Sequence, residues 1–107
     1  MDDINKKRAL SMLALARKAG KVVTGEENCE KAIREGYAHL VLVAADASGN
    51  TQKKFKNKTK FYNATLIDLF TKNEISSHTG LHNRSTIVIT DQNFAKTLIE
   101  IMNRSSI

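Results

Sequence analysis

Apolar residues recur along the chain in two rhythms, and the two alternate. Ala9, Met12, Leu13 and Ala16 fall at i, i+3, i+4 and i+7, one face of an α-helix. The pattern predicts a helix over 4–19 that stops at Gly20, with Arg17 and Lys18 in the last turn, where cations complement the helix dipole. "KVVT" (21–24) then reads as a short strand. Residues 25–35 form a second predicted helix ending at Gly36, with Cys29, Ala32 and Ile33 as its apolar stripe. Glu27, Asn28, Lys31, Arg34 and Glu35 make its polar face. "HLVLVAA" (39–45) is apolar at every other position and also in between, so both faces need cover and the strand is central.

The second half repeats the alternation. "DASGN" is a loop, followed by a helix over 50–61 whose apolar stripe is thin. "ATLIDLF" (64–70) is a strand, 72–79 a short helix reaching Gly80, and "STIVIT" (85–90) the last strand. Asp91 is a suitable N-cap for a final helix carrying Phe94, Leu98, Ile101 and Met102 at i, i+4, i+7 and i+8. The tail "NRSSI" is expected to fray. Strands that alternate with helices predict one domain over 1–107, a three-layer α/β/α sandwich on a mixed sheet of about four strands.

Charge sharpens this picture. Seventeen Lys and Arg against eleven Asp and Glu give a formal net charge of +6. A basic balance points to nucleic acid, an anionic membrane or nothing specific. The longest unbroken apolar run, "LVLVAA", is too short to cross a bilayer. Asp2 and Asp3 ahead of "KKR" argue against a secretory signal, so a cytoplasmic protein without a membrane partner is expected.

Candidate chemistry is sparse. Neither a dinucleotide fingerprint nor a P-loop is present, and no cofactor is expected. His78 and His82 have metal-ligand spacing, but Gly80 between them breaks the helix and a third ligand is not evident, so no metal site is expected. Cys29 lies on an apolar stripe and reads as a core residue; a nucleophile paired with a histidine is the enzyme alternative. "KKFKNKTK" (53–60) reads as a solvated face whose lysines scatter around the helix axis.

The stretch "TGEENCEK" is out of character for a basic protein. Thr24 and Glu27 have capping-box spacing, which accounts for an acid there without any ligand. The alternative is base reading. A carboxylate accepts from amino and imino groups, an amide does both, and a lysine donates to guanine O6 or N7. Glu27, Asn28 and Lys31 share one helical face.

The ordered set Gly20-Lys21, Gly25, Lys31, Ala38, Leu40, Ala44 and Asp46, with "TDQNFAKTLI" near the end, resembles the kink-turn RNA-binding ribosomal protein family, the L7Ae and L30e superfamily, in its small bacterial subgroup. The resemblance covers nearly the whole chain. It implies an α/β/α sandwich that binds RNA bent at tandem sheared G·A pairs, performs no chemistry, and acts as a monomer with a ribosomal or translational role. In such relatives an Asn-Glu pair and, three residues after the Glu, a Lys contact the guanines. The matching positions here are Glu27, Asn28 and Lys31, the acid and amide in reversed order. The resemblance also marks the loop Gly80, Leu81, His82, Asn83 and Arg84 as the one that packs on an extruded base. Lys18 and Lys21 are added as phosphate contacts, and Gly25 is included among the RNA-binding residues. Ser76 stands where the family usually has the first glycine of that loop segment. The alternative within RNA binding is a general basic RNA- or ribosome-associated factor without kink-turn specificity.

Overall fold

The computed structural model describes residues 2–104. Five helices and four strands alternate in the order α1 (Asp3–Lys18), β1 (Val22–Thr24), α2 (Glu26–Arg34), β2 (Leu40–Val43), α3 (Gly49–Phe61), β3 (Leu66–Ile67), α4 (Lys72–Thr79), β4 (Thr86–Ile89) and α5 (Gln92–Arg104). The sheet order is β1-β4-β2-β3. β4 runs antiparallel to both β1 and β2, and β2 runs parallel to β3, so the sheet is mixed.

Every residue of β2 and β4 is buried, which a strand achieves only when both faces are covered. α2 and α3 pack together on one face; α1 packs on α4 and α5 on the other. Leu10, Leu13, Leu40, Leu42, Phe55, Phe70, Ile87, Ile89 and Leu98 fill the space between the layers.

Local signals place most of the boundaries. Asp2 caps α1 by accepting from the Asn5 N–H at 2.8 Å, and Asp91 caps α5 by accepting from the Phe94 N–H at 2.9 Å. Gly36 and Gly80 take positive φ, 85° and 76°, and stop α2 and α4. α4 starts with a complete capping box, Thr71 and Glu74 each bonded to the other's backbone. Burial works to raise the Glu74 pKa, but hydrogen bonds from Lys6 and Thr71 outweigh it and hold the carboxyl below its ordinary value. Lys6 thereby ties α1 to the start of α4.

The structure corrects several expectations. The predicted strand 64–70 shrinks to Leu66–Ile67, because this edge strand pairs only with β2. Phe70 is buried all the same, carried inward by a loop whose carbonyl accepts from the Ala45 N–H at 2.8 Å. α3 begins at Gly49, inside the predicted loop, since Ser48 caps it through the Thr51 N–H. By contrast, α4 covers the expected 72–79 with Ser76 inside it, donating to the Asn73 carbonyl at 3.1 Å, and the loop starts at Gly80 as expected. Of the tail expected to fray, Asn103 and Arg104 complete α5, and 105–107 lie outside the described residues.

Among the described residues, Thr86 Oγ1 is a buried hydroxyl without a hydrogen-bond partner. An unsatisfied buried hydroxyl costs stability, whereas an isosteric methyl does not. Thr86→Val should therefore leave stability unchanged or raise it by up to about 1 kcal/mol in urea unfolding. A clear loss would mean that a buried water satisfies the hydroxyl.

Candidate nucleic-acid interface

The interface starts from one backbone turn. Gly25 has φ 90° and ψ 140°, a conformation open to glycine and strained for other residues. It serves as the N-cap of α2 and supplies no capping side chain. The Thr24–Glu27 capping box expected from spacing does not form. Thr24 is the last residue of β1, the turn falls at Gly25, and Glu27 is consequently one position too early to return to the cap.

The three acids of this helix have different fates. Glu26 accepts from Thr51 Oγ1 at 2.9 Å and lies 3.7 Å from Lys54 Nζ. Glu30 pairs with the same ammonium at 2.5 Å. One lysine of α3 thus engages two acids of α2 and locks the two helices together. Glu27 is exposed and, among the described residues, has neither an ion pair nor a hydrogen bond. Lys31, one turn on, is exposed and equally unengaged among these residues. Asn28 donates through Nδ2 to the Thr24 carbonyl at 3.2 Å, which fixes the amide and leaves its oxygen free to accept. The result, among these residues, is a fixed amide flanked by a free carboxylate and a free ammonium on one face of α2.

The loop that follows α4 reaches the same end of the sheet. Thr24 pairs with Ile87 and Val43 with Thr86, so the exits of β1 and β2 flank the start of β4. The loop is held in shape at its base. Arg17 Nη1 donates to the Thr79 carbonyl at 2.8 Å, and the Leu81 N–H donates to Thr79 Oγ1 at 3.1 Å. Asn83 takes a left-handed φ of 57°. His82, Asn83 and Arg84 are exposed, while Leu81 is half-buried and packs against the core. A polar depression of about 540 Å³ beside the loop is lined by Asp46, Lys72, Asn73, Ser76, His82 and Asn83.

Lys18 and Lys21 are exposed, and Lys21 stands apart from this cluster. The Lys21 carbonyl accepts from the Thr90 N–H, at the far end of β4 from the loop. The length of β1, about 10 Å, separates it from Gly25.

Two chemical alternatives are also located. The Cys29 thiol is fully buried, with Sγ 3.5 Å from the Val23 carbonyl and 3.7 Å from that of Thr86. Burial pushes its pKa up to about 12; the Val88 backbone opposes the shift and the Glu26 charge adds to it. A thiol that stays protonated and sealed is a core residue, which corrects the nucleophile alternative. His78 Nδ1 lies 3.1 Å from the Glu74 carbonyl of its own helix, and His82 is beyond the helix end. Among the described residues no three His, Cys, Asp or Glu side chains converge as a metal site would require, and no helix is long and apolar enough to cross a membrane.

Sequence reasoning missed Thr51, Lys54 and Arg17 as parts of the site. Lys54 stood in the lysine run and Arg17 looked like a helix-end cation; only the tertiary packing shows what each one holds.

A mixed four-stranded sheet between two helical layers, presenting polar side chains at one sheet end, defines a small three-layer α/β/α sandwich. The sequence profile of the ribosomal protein L7Ae/L30e/S12e/Gadd45 family matches residues 7–99, and the chain belongs to that family. It is similar to RNA-binding protein YlxQ of Enterococcus faecium, 39% identical over 102 residues that cover 95% of this chain and 98% of that protein. It is also similar to RNA-binding protein YlxQ of Bacillus subtilis strain 168, 37% identical over 92 residues covering 86% and 92% of the two chains. Among solved structures, a protein of unknown function from Bacillus halodurans superposes with a TM-score of 0.84 at 30% identity, covering 89% of this chain and 96% of that one. A 15.5 kD RNA-binding protein of Giardia lamblia shares the fold, with a TM-score of 0.77 at 15% identity over 97% and 89% of the two chains. The curated relatives are RNA-binding proteins, not enzymes.

Proposed function

We propose that the protein binds RNA and reads a kink-turn through the first turns of α2. The observation that carries this reading is the division of labour among the acids. Glu26 and Glu30 are engaged by α3, whereas Glu27 and Lys31 are exposed without partners among the described residues, beside an Asn28 amide held by Thr24. In a sheared G·A pair the guanine edges are accessible in the distorted groove. Glu27 and the Asn28 oxygen accept from guanine amino or imino groups, and Lys31 donates to O6 or N7. The Gly25 turn brings this face close to the RNA. Arg84 contacts phosphate, and Leu81, His82 and Asn83 border the place for the base extruded at the bend. Lys18 and Lys21, at the other end of β1, reach the backbone of a flanking stem. Family membership supports a ribosome- or translation-associated role, and the reading is of a monomer acting in the cytoplasm.

Phosphate contacts make a direct test of RNA binding. If Lys18, Lys21 and Arg84 each neutralise a phosphate, log K should fall with log salt at a slope of about −2 to −3. A titration series across salt concentrations checks this. A flat response would contradict an RNA-tracking surface.

A further inference from the structure

Three of the five lysines of the α3 run share one side where the sequence suggested scatter, while Lys54 and Lys58 lie off it. At 100° per residue, Lys53, Lys56, Asn57, Lys60 and Phe61 fall within an arc of about 140°. All five are exposed, while Phe55 and Thr59 on the opposite side are buried. The three lysines therefore form one stripe. Lys56 has only an exposed partner, Asp68, at 3.6 Å, a pair too weak to remove it from use. Lys54 is set aside by Glu26 and Glu30.

The stripe ends in an anomaly. Phe61 is 81% exposed, the most exposed of the large apolar side chains on the described surface. Tyr62 beside it is 41% exposed and meets it edge to face, ring centroids 4.9 Å apart and planes at 71°. That contact steadies the ring, most of whose surface stays open to solvent. Phe61 is also two turns beyond Lys54, the residue that faces α2. It thus lies on the α2 side of the stripe, about 15 Å along the helix from the Thr51–Glu26 contact. A cationic stripe leading to an open aromatic ring is the chemistry of a single-strand platform, with ammonium groups for phosphates and a π-face for a base. An apolar protein partner would not call for three exposed lysines, of which Lys56 alone has an acidic partner among the described residues.

We infer that the outer face of α3 is a second RNA contact, in which Lys53, Lys56 and Lys60 hold the backbone of an unpaired strand and Phe61 stacks on one of its bases. The inference rests on the RNA-binding reading and extends it, since none of these residues belongs to the α2 face. The strand it takes is one that flanks the bent motif.

The test compares three RNAs: a trimmed kink-turn, the same kink-turn with a short unstructured tail, and the tail sequence alone. The tailed RNA should bind on the order of tenfold more tightly than the trimmed one. Phe61→Ala should abolish that gain and leave affinity for the trimmed RNA unchanged. Lys53→Gln with Lys60→Gln should make the salt slope for the tailed RNA shallower by about 1.4, at roughly 0.7 per contact on a single strand. Equal affinity for tailed and trimmed RNA, or a gain that survives Phe61→Ala, overturns the inference. So does a dimer in light scattering that Phe61→Ala dissociates, because a second copy would then cover the ring. If the kink-turn reading itself fails, the tail alone decides: its affinity drops with Phe61→Ala or the platform does not exist. Phe61 is so exposed that its replacement should leave the melting temperature unchanged, which is checked in the same samples.

Discussion

Glu27→Gln should lower the preference for a kinked RNA over its repaired duplex by roughly 1–3 kcal/mol, the range for one good base-edge contact. The substitution preserves shape and removes only charge and half of the acceptor capacity, so a loss of discrimination isolates base reading. Stability should fall by at most about 1 kcal/mol. Glu27 makes no bond within the described residues, and only its favourable position against the α2 dipole is weakened. Glu26→Gln is the matched control. It alters an acid one residue away that is already engaged by Thr51 and Lys54, so it should change stability and leave the RNA preference intact. If both substitutions leave the preference unchanged, the α2 face does not read bases.

The second large effect is an alkaline one. The Cys29 thiol has an ordinary pKa of 9.0 when unfolded and is pushed up to about 12 in the fold. Between these values the unfolded chain loses a proton that the folded chain keeps. The raised pKa therefore contributes stability that is complete below pH 8 and declines as the pH climbs through 9 to 12. The full size is about 4 kcal/mol, of which roughly 3 should be gone by pH 11. Comparing wild type with Cys29→Ala cancels the titration of lysines and tyrosines. The stability advantage of the wild type over Cys29→Ala in urea unfolding should shrink by that amount between pH 8 and pH 11. A constant difference would mean that the thiol is reached by solvent, and would restore the nucleophile alternative.

The parts of the fold that were legible are those written in local chemistry. α4 was read to the residue because Gly80 must take a positive φ, and the start of α5 was legible because Asp91 and the Leu98–Ile101 stripe are both local signals. β2 was legible as a central strand because every residue in it is apolar. β3 was overread for the same reason: apolar residues at 66, 67, 69 and 70 look like one strand, yet Phe70 reaches the core from a loop. Spacing misled at Thr24 and Glu27, since a Thr-x-x-Glu pattern cannot reveal that a strand ends between cap and helix. The same pattern at Thr71 and Glu74 is a true box because no glycine turn intervenes.

The candidate site was legible as a set of residue types but not as an arrangement. Glu27, Asn28 and Lys31 follow from helical periodicity. What singles out Glu27 from its acidic neighbours is Lys54, a residue of another helix, and no local pattern connects position 54 with positions 26 and 30. Likewise, Arg17 braces the 80–84 loop across 62 residues of sequence. The α3 lysines show the converse error. Their spacing was visible, but which side of that helix faces water depends on Phe55 and Thr59 finding the core.

The most direct test of the central claim is equilibrium binding of the wild-type protein, at one fixed salt concentration, to a kink-turn RNA and to the same RNA with its tandem G·A pairs replaced by Watson–Crick pairs. Two guanine contacts at about 1–3 kcal/mol each predict that the kinked RNA binds roughly thirty-fold or more tightly. Equal affinities for the two would contradict the account and leave a basic RNA-binding protein without kink-turn specificity.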